Sequence, residues 1–488
     1  MRFPTYAAIA GCTLALAGCN LAPDYKVPTV EVPTQYKEAG PWEAAKPSDG
    51  IARGHWWELY GDPTLTALET EIDRVNPDLA AAIARYDQAR ALAVEAGAPL
   101  LPFLNAAGSG TQNRQSAKRP LRSPAQPNQF ANNNIGLQAT YEIDFWGQLR
   151  NIAAAGTANA QASAADLETV RLSLEAELAN DYVVLRGLDA QAKLLNDTVE
   201  SYSKALKLTE DRFRGNIASG IDVSRAQTQL ETARAAVAEV QAQRALYEHA
   251  IASLVGKPAS QFSIAPQVVT LNLPNVPTGV PAALLERRPD IAAAERRMAA
   301  ANAQIGVAKA AFYPNITLAA LGGFQNAGGA AQLLAAPYSF WSVGPGLTLP
   351  IFENGLLEAE EERTYAFHRQ TSENYRSLVL RAFQEVEDQL ALLRDLRDEA
   401  EREDAAVKAA EHTLDLSLNL YRDGAVSYLD VTVAQTAALQ VELVSLNLTT
   451  RRYQANVSLI RALGGGWTAT DLPGPDAAST LETSAAMP

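Results

Sequence analysis

Residues 141–150 read Tyr-Glu-Ile-Asp-Phe-Trp-Gly-Gln-Leu-Arg, and the character of the chain changes within them. Upstream, Ile135, Leu137, Ala139, Tyr141 and Ile143 take every second position, with Gly136, Gln138, Thr140, Glu142 and Asp144 between them. A period of two is the mark of a strand with one apolar and one polar face. Downstream of Gly147 no proline occurs before Pro258, and the apolar residues Leu178, Tyr182, Leu185, Leu188, Ala192, Leu195, Val199, Tyr202 and Leu206 step by threes and fours. That spacing is helical and of the coiled-coil kind. A sheet therefore hands over to a very long helix here. The same switch recurs: Trp341, Val343, Leu347, Leu349 and Ile351 alternate, and Gly355 opens a second helical run. The offset between Gly147 and Gly355, about 208 positions, organises the chain.

Matching residues extend the repeat in both directions. Asn76-Pro77-Asp78-Leu79 returns as Arg288-Pro289-Asp290-Ile291, and Pro102 as Pro314. Gly136, Thr140 and Ile143 return as Gly344, Thr348 and Ile351. Phe213-Arg214 matches Tyr421-Arg422, Asp222-Val223 matches Asp430-Val431, and Gly256 matches Gly464. The offset drops from about 212 to about 208 across the strands, so the second hairpin loop is the shorter one. Two similar units follow, at 71–262 and 284–466, each helix–strand–strand–helix–helix, joined through 263–283 and trailed by 467–488. The strands are expected over about 101–113, 132–145, 312–326 and 338–352. The first hairpin loop, 114–128, carries Arg114, Lys118, Arg119 and Arg122 with three prolines and reads as exposed. The second, 326–337, is small and glycine-rich.

The N-terminus reads as a targeting segment over 1–18. Arg2 gives a positive start, an apolar run follows over 7–17, and Leu16-Ala17-Gly18-Cys19 ends it. This resembles the bacterial lipobox, which implies cleavage before Cys19 and a lipid on its sulfur. An ordinary export signal ending by chance near a cysteine is the alternative. Asn20 follows, not the aspartate that in some bacteria retains lipoproteins at the inner membrane, so an outer-membrane destination is implied. Residues 19–70 then form an anchor and an extended linker broken by Pro23, Pro28, Pro33, Pro41 and Pro47. Asp62 or Thr64 would cap the helix after it.

The 488 residues carry a net charge of -14, which argues against nucleic acid as a partner. Cys12 is lost with the leader, so one cysteine remains and neither an internal disulfide nor a cysteine metal cluster can form. The four histidines are scattered outside any metal-spaced motif, and there is neither a P-loop nor a dinucleotide fingerprint. Gly464-Gly465-Gly466 is a helix stop, and the acidic run over 358–362 a solvated helix face. No catalytic, cofactor or metal residue is nominated. No stretch approaches the ~20 apolar residues of a spanning helix, so any membrane crossing falls to the strands. Aromatic residues gather at the strand ends, as at membrane interfaces; a soluble sheet with an aromatic core is the other reading. About four strands cannot close a barrel, so several chains must contribute, two giving about eight and three about twelve.

Each long helix, over about 147–213 and its twin over 355–421, is followed by a shorter one, and the pairs meet at 212–223 and 420–431. These turns lie farthest from the strands. Asn216 and Gly424 occupy matching sites and suit a left-handed helix end, with Gly215 beside Asn216 in the first turn; Ser219 and Ser427 suit N-caps. Asp222 and Asp430 sit in the first helical turn, where the macrodipole alone would justify a carboxylate. In a symmetric tube the same acids would form a cation-favouring ring. Arg422 is a candidate for holding such a tip shut.

Taken together, WWELYGDPTLTALETEIDRVNPDLAAAIAR (56–85), YEIDFWGQLR, LLERRPDIAAAE (284–295) and FYPNITL (312–318) resemble the TolC-like outer membrane factors, in the lipoprotein branch that includes OprM and NodT relatives. The resemblance covers about 16–467. It implies a mainly α protein with a small transmembrane β part: a homotrimer sharing a barrel of about twelve strands, continued by a long periplasmic α-helical barrel. It implies a passive exit duct of a tripartite efflux system, partnered by a periplasmic adaptor at the tip turns and an inner-membrane pump of the resistance–nodulation–division class, with outer-membrane lipid around it. The family often carries a second acid where this chain has Val433. A lipid-anchored periplasmic coiled-coil scaffold without a pore is the alternative in another class, and a lipoprotein enzyme a third. Intact-mass measurement of membrane-purified protein is expected to show Cys19 as the first residue, with added lipid mass; a chain that starts elsewhere or lacks lipid rules this out.

Overall fold

The computed structural model describes residues 19–38, 55–120, 123, 125–276, 281, 284–328, 333–474 and 477. The expected leader, 1–18, lies outside the described residues, as do Arg122 and part of the second hairpin loop. A 3-10 turn, Trp56–Tyr60, leads into helix α1 (Pro63–Val75) and then α2 (Pro77–Gly97). Strands β1 (Phe103–Arg114) and β2 (Gln129–Glu142) follow, then α3 (Gln148–Arg214) and α4 (Gly220–Leu254). The second unit repeats this with α5 (Pro289–Ala310), β3 (Asn315–Asn326), β4 (Ser339–Thr348), α6 (Leu356–Arg422) and α7 (Tyr428–Ala462). The long helices are 67 residues each and the short ones 35 each. At 1.5 Å per residue the long pair spans about 100 Å.

Several expected boundaries move. The linker is not extended as far as 70, because Trp56, Trp57 and Tyr60 are buried and α1 begins at Pro63 under an Asp62 cap: Asp62 Oδ1 accepts from the N–H groups of Thr64 at 2.7 Å and Leu65 at 3.1 Å. β2 starts at Gln129 and stops at Glu142 rather than 145, since Phe145 N–H turns back onto the Ile143 carbonyl at 2.9 Å. β3 and β4 occupy less than 312–326 and 338–352. Tyr313 N–H still bonds the Ala310 carbonyl of the helix end, and Pro350 lacks the N–H that a ladder needs.

The four strands form one antiparallel meander in the order β1-β2-β3-β4. The main core sits midway along the long helices. There Trp56, Trp57, Tyr60, Leu65 and Ile72 pack against Leu178, Tyr182 and Leu185 of α3, Val379 and Val386 of α6, and Leu459 of α7. Several polar side chains in this core are paired. Tyr60 Oη donates to Asn456 Oδ1 at 2.7 Å, Tyr182 Oη to Asp62 Oδ2 at 2.8 Å, and Arg186 Nε to Tyr182 Oη at 3.0 Å. Asp189 then joins Arg186 at 2.9 Å and Arg244 at 2.6 Å. Those arginines also donate to the carbonyls of Ala265 and Ile264. The segment between the repeats is thereby tied to α3 and α4.

Two buried carboxyls, Glu69 and Glu175, lie at this level. Glu69 is fully buried and, among the described residues, its oxygens have no hydrogen-bond partner. Burial first, then Glu175 and Asp73, hold it well above the usual carboxylate range. Burial pushes Glu175 up to about 8 although Trp56 Nε1 donates to it at 3.1 Å. Folded Glu175 therefore keeps a proton that the unfolded chain releases near the ordinary carboxylate value. Folding takes up that proton in between, and stability falls as pH rises through the window. The melting midpoint should drop by a few degrees from about pH 5 to about pH 8, and Glu175→Gln should flatten the dependence. An equally steep profile in the variant would place the titration elsewhere.

Candidate transport path

The strand register sorts the sheet into two faces. Leu137 stands opposite Ala106 and Gly322, Gly322 opposite Trp341, Ala320 opposite Val343, and Ile316 opposite Leu347. One face thus collects Leu104, Ile135, Leu137, Leu318, Phe324, Trp341, Val343 and Leu347. Trp341 is 80% exposed, Leu347 68% and Leu137 54%, so among the described residues nothing covers these side chains. The other face carries Asn105, Ser109, Thr111, Gln138, Thr140, Gln325, Ser342 and Thr348. A dry outer face and a wet inner one is the division a membrane barrel needs. At the centre, Gly136 pairs with Gly323, and a Cβ on Gly323 would lie 2.2 Å from the Ile135 carbonyl oxygen. Only glycine admits so close an approach of two strands.

The sheet-to-helix junction is built by the stretch around Gly147. Gly147 takes a φ of 77°, in the left-handed region. Asp144 reaches across it to cap α3, its carboxylate accepting from the N–H groups of Leu149 at 3.1 Å and Arg150 at 3.0 Å. Trp146 Nε1 donates to the Pro314 carbonyl at 2.9 Å, and its ring stacks on Tyr313 with centroids 4.5 Å apart. The start of the described chain docks here. Arg150 Nη2 donates to the Cys19 carbonyl at 3.3 Å, Asn151 Nδ2 donates to Asn20 Oδ1 at 2.8 Å, and the Cys19 side chain is exposed. From the junction the N-terminal strap runs toward the equator, where the N–H groups of Lys37 and Glu38 bond the Glu387 carboxylate at 2.7 and 2.9 Å.

At the opposite end the two helical turns meet. Asn216 has a φ of 58° and Gly424 one of 78°, while Gly215, the C-cap residue of α3, has a φ of -79°. Ser219 and Ser427 cap α4 and α7 in reciprocal boxes. Asp222 Oδ2 accepts from Ser219 N–H at 3.1 Å and Asp430 Oδ2 from Ser427 N–H at 3.0 Å. The acids differ beyond that. Arg225 lies 3.7 Å from the second oxygen of Asp222. The corresponding neighbour of Asp430 is Val433, and among the described residues Asp430 has no ion pair. Arg422 does not bridge the turns; it donates to Asn419 of its own helix at 3.2 Å. Arg212 does so, which the sequence reading missed. Its Nη1 donates to the Tyr421 carbonyl at 2.7 Å, and its guanidinium lies 4.7 Å from the Tyr421 ring centroid. The available signal was a break in the repeat, since Arg212 corresponds to Leu420. Tyr421 and Tyr428 pack edge-on beneath, at 5.3 Å.

Among the described residues no group of His, Cys, Asp or Glu is arranged to hold a metal, and no helix is long and apolar enough to cross a membrane. The family model described as outer membrane efflux protein matches residues 71–257 and 280–465. The chain belongs to that family. It is 33% identical over 473 residues to the pyoverdine export outer membrane protein OpmQ of Pseudomonas aeruginosa, covering 96% of this chain and 98% of that one. It is 30% identical over 462 residues to the cation efflux system protein CusC of Escherichia coli O6:H1, covering 93% and 97%. The open state of the Neisseria gonorrhoeae MtrE outer membrane channel superposes with a TM-score of 0.81 at 25% identity, over 92% of this chain and 99% of that one. The protein is an outer-membrane exit duct for efflux, and its two faces acquire their meaning: the row of Leu137 meets lipid and the row of Gln138 lines the passage. Leu137→Arg and Leu347→Arg should each cost about 2–4 kcal/mol near the bilayer midplane, lowering the yield of membrane-inserted protein. Gln138→Arg, one position away, should be tolerated. Equal yields from Leu137→Arg and Gln138→Arg would reverse the assignment of faces.

Proposed function

We propose that three copies of this chain close into one passive conduit of about twelve strands. The observation that carries this is the sheet itself: an even meander whose outer edges, β1 and β4, run antiparallel and, among the described residues, pair with no further strand. The β4 edge of one copy can therefore continue the antiparallel ladder on the β1 edge of the next. The helices continue the tube into the periplasm, and the tip turns at Gly215, Asn216, Ser219, Gly424 and Ser427 face a periplasmic adaptor. An inner-membrane pump of the resistance–nodulation–division class supplies the energy. Cys19, held beside Gly147 at the sheet-to-helix junction, is at the depth where an acyl chain enters the inner leaflet. Relatives of comparable identity are named for unlike cargoes, pyoverdine for OpmQ and cations for CusC. Cargo choice accordingly rests with the pump, not the duct.

Asp430 is the residue of the tip that sets ion preference in this reading. Its charge is exposed and uncompensated, whereas that of Asp222 is shared with Arg225. Around a threefold axis, three such carboxylates make a ring that favours cations. Arg212, spanning the two turns, keeps the aperture narrow. Bilayer recordings under a salt gradient test each part. Wild type should conduct weakly and prefer cations, Asp430→Asn should lose most of that preference, Asp222→Asn should keep it, and Arg212→Ala should raise the basal conductance. Absence of conductance in all of them would overturn the conduit. An unchanged reversal potential in Asp430→Asn would leave that residue only its helix-capping role.

A further inference from the structure

The β region is nearly devoid of charge, with one exception. No charged residue occurs between Lys309 and Glu353, and no acidic residue between Glu95 and Glu142. In a chain of net charge -14, the two hairpins hold one acid, Glu142 at the periplasmic-side end of β2, and their other charges are Arg114, Lys118, Arg119 and Arg122, all in or beside the β1–β2 loop at the opposite end. Arg114 and Lys118 are exposed, and among the described residues no carboxylate pairs with Arg114, Lys118 or Arg119. The loop is held in shape: Gln115 N–H donates to the Asn128 carbonyl at 2.8 Å, and Arg119 Nη2 donates to Gln126 Oε1 across it. Cations gathered at one place without nearby counter-charges repel one another and set up a local positive field that an anion would meet.

The register says which anion. Arg114 stands opposite Gln129, in the same alternate row as Leu104, Ala106 and Leu137, and so on the lipid side of the wall, not the lumen side. The last large apolar residue of that row in β2 is Ile135, which stands opposite Gly108; beyond it come only Asn133, the small Ala131 and Gln129. Arg114 lies beyond it by about 20 Å along the strand at ~3.4 Å per residue, or about 15 Å of height for a strand tilted by ~40°. That level is above the hydrocarbon and within a layer of phosphorylated sugars, the headgroup layer of an outer-leaflet glycolipid. We propose that the β1–β2 loop is a docking surface for the phosphate groups of that glycolipid, with Arg114, Lys118 and Arg119 as their ligands. Guanidinium forks suit phosphate oxygens in pairs, and a lysine adds a point charge. An anionic solute leaving the pore would instead call for cations in the row of Asn113 and Gln138.

This inference rests on the proposed barrel, and its test separates the two. Purified full-length protein is titrated with lipopolysaccharide, with the same glycolipid after phosphatase treatment, and with inorganic phosphate, reading binding and the melting midpoint. Wild type should bind the intact glycolipid and gain thermal stability, whereas the dephosphorylated form and free phosphate should give neither. Each cation near an anionic surface is worth about fivefold in affinity, so Arg114→Gln/Lys118→Gln/Arg119→Gln should bind about a hundredfold more weakly. Arg114→Lys/Arg119→Lys should keep most of the binding. Bilayer conductance of the triple variant should equal that of wild type, which certifies its fold. Undiminished glycolipid binding by a conducting triple variant overturns the proposal. So does equal binding of the dephosphorylated glycolipid, or a triple variant whose only change is in the ion preference of the pore. Failure of wild type to conduct would count against the barrel itself.

Discussion

A backbone amide in hydrocarbon has no water to bond, and leaving one unpaired costs several kcal/mol. Among the described residues the sheet has four strands and two open edges. Its apolar face is bare, with Trp341, Val343 and Leu347 exposed among the described residues. Neither deficit can be met within one copy. A lipid environment satisfies the face and a neighbouring copy satisfies the edges, so the membrane and the assembly are demanded by the same ladder. The helices inherit this constraint. Their long axes leave the sheet at Gly147 and Gly355, both left-handed glycines at the first step of a 67-residue helix.

Much of this was legible in the residues. Alternation at Ile135, Leu137 and Ala139 marked the face of the sheet, and the duplicated Asp222 and Asp430 located the far turns. Glycine and asparagine at helix ends announced their left-handed backbone, as the φ values of Asn216 and Gly424 bear out. Period-two and cap signals are local, so they survive in one sequence without a partner. What escaped was long-range. The burial of Trp56 and Trp57 under α3 and α6 depends on where those helices pass, and a linker rich in prolines gives no hint of it. The trespass of β2 beyond its expected start depends on pairing with β1, since Gln129 has no apolar pattern of its own and is in register only because Arg114 faces it.

The two repeats are copies in backbone but not in chemistry. Asp144 caps α3, while the matching position before α6 is Phe352, which caps nothing and is exposed. Arg225 offsets Asp222, while Val433 leaves Asp430 alone. Arg212 binds across the turns, while its counterpart Leu420 cannot. In each case the first unit carries the polar device and the second lacks it. A duplicated scaffold has thus been specialised by single side chains at equivalent places, with the helix lengths left untouched.

Those lengths carry a consequence of their own. The turns at the far end touch only because α3 and α6 are equal in length, as are α4 and α7. One residue added to α3 alone would advance its end by ~1.5 Å and swing it by about 100°. Arg212 would then no longer meet the Tyr421 carbonyl, and every seam below the insertion would change face. The helices behave as matched rulers. An evolving lineage can lengthen or shorten this duct only by editing all four in concert and by whole turns of the seam. The reach of the molecule across its compartment is consequently among the slowest of its properties to drift.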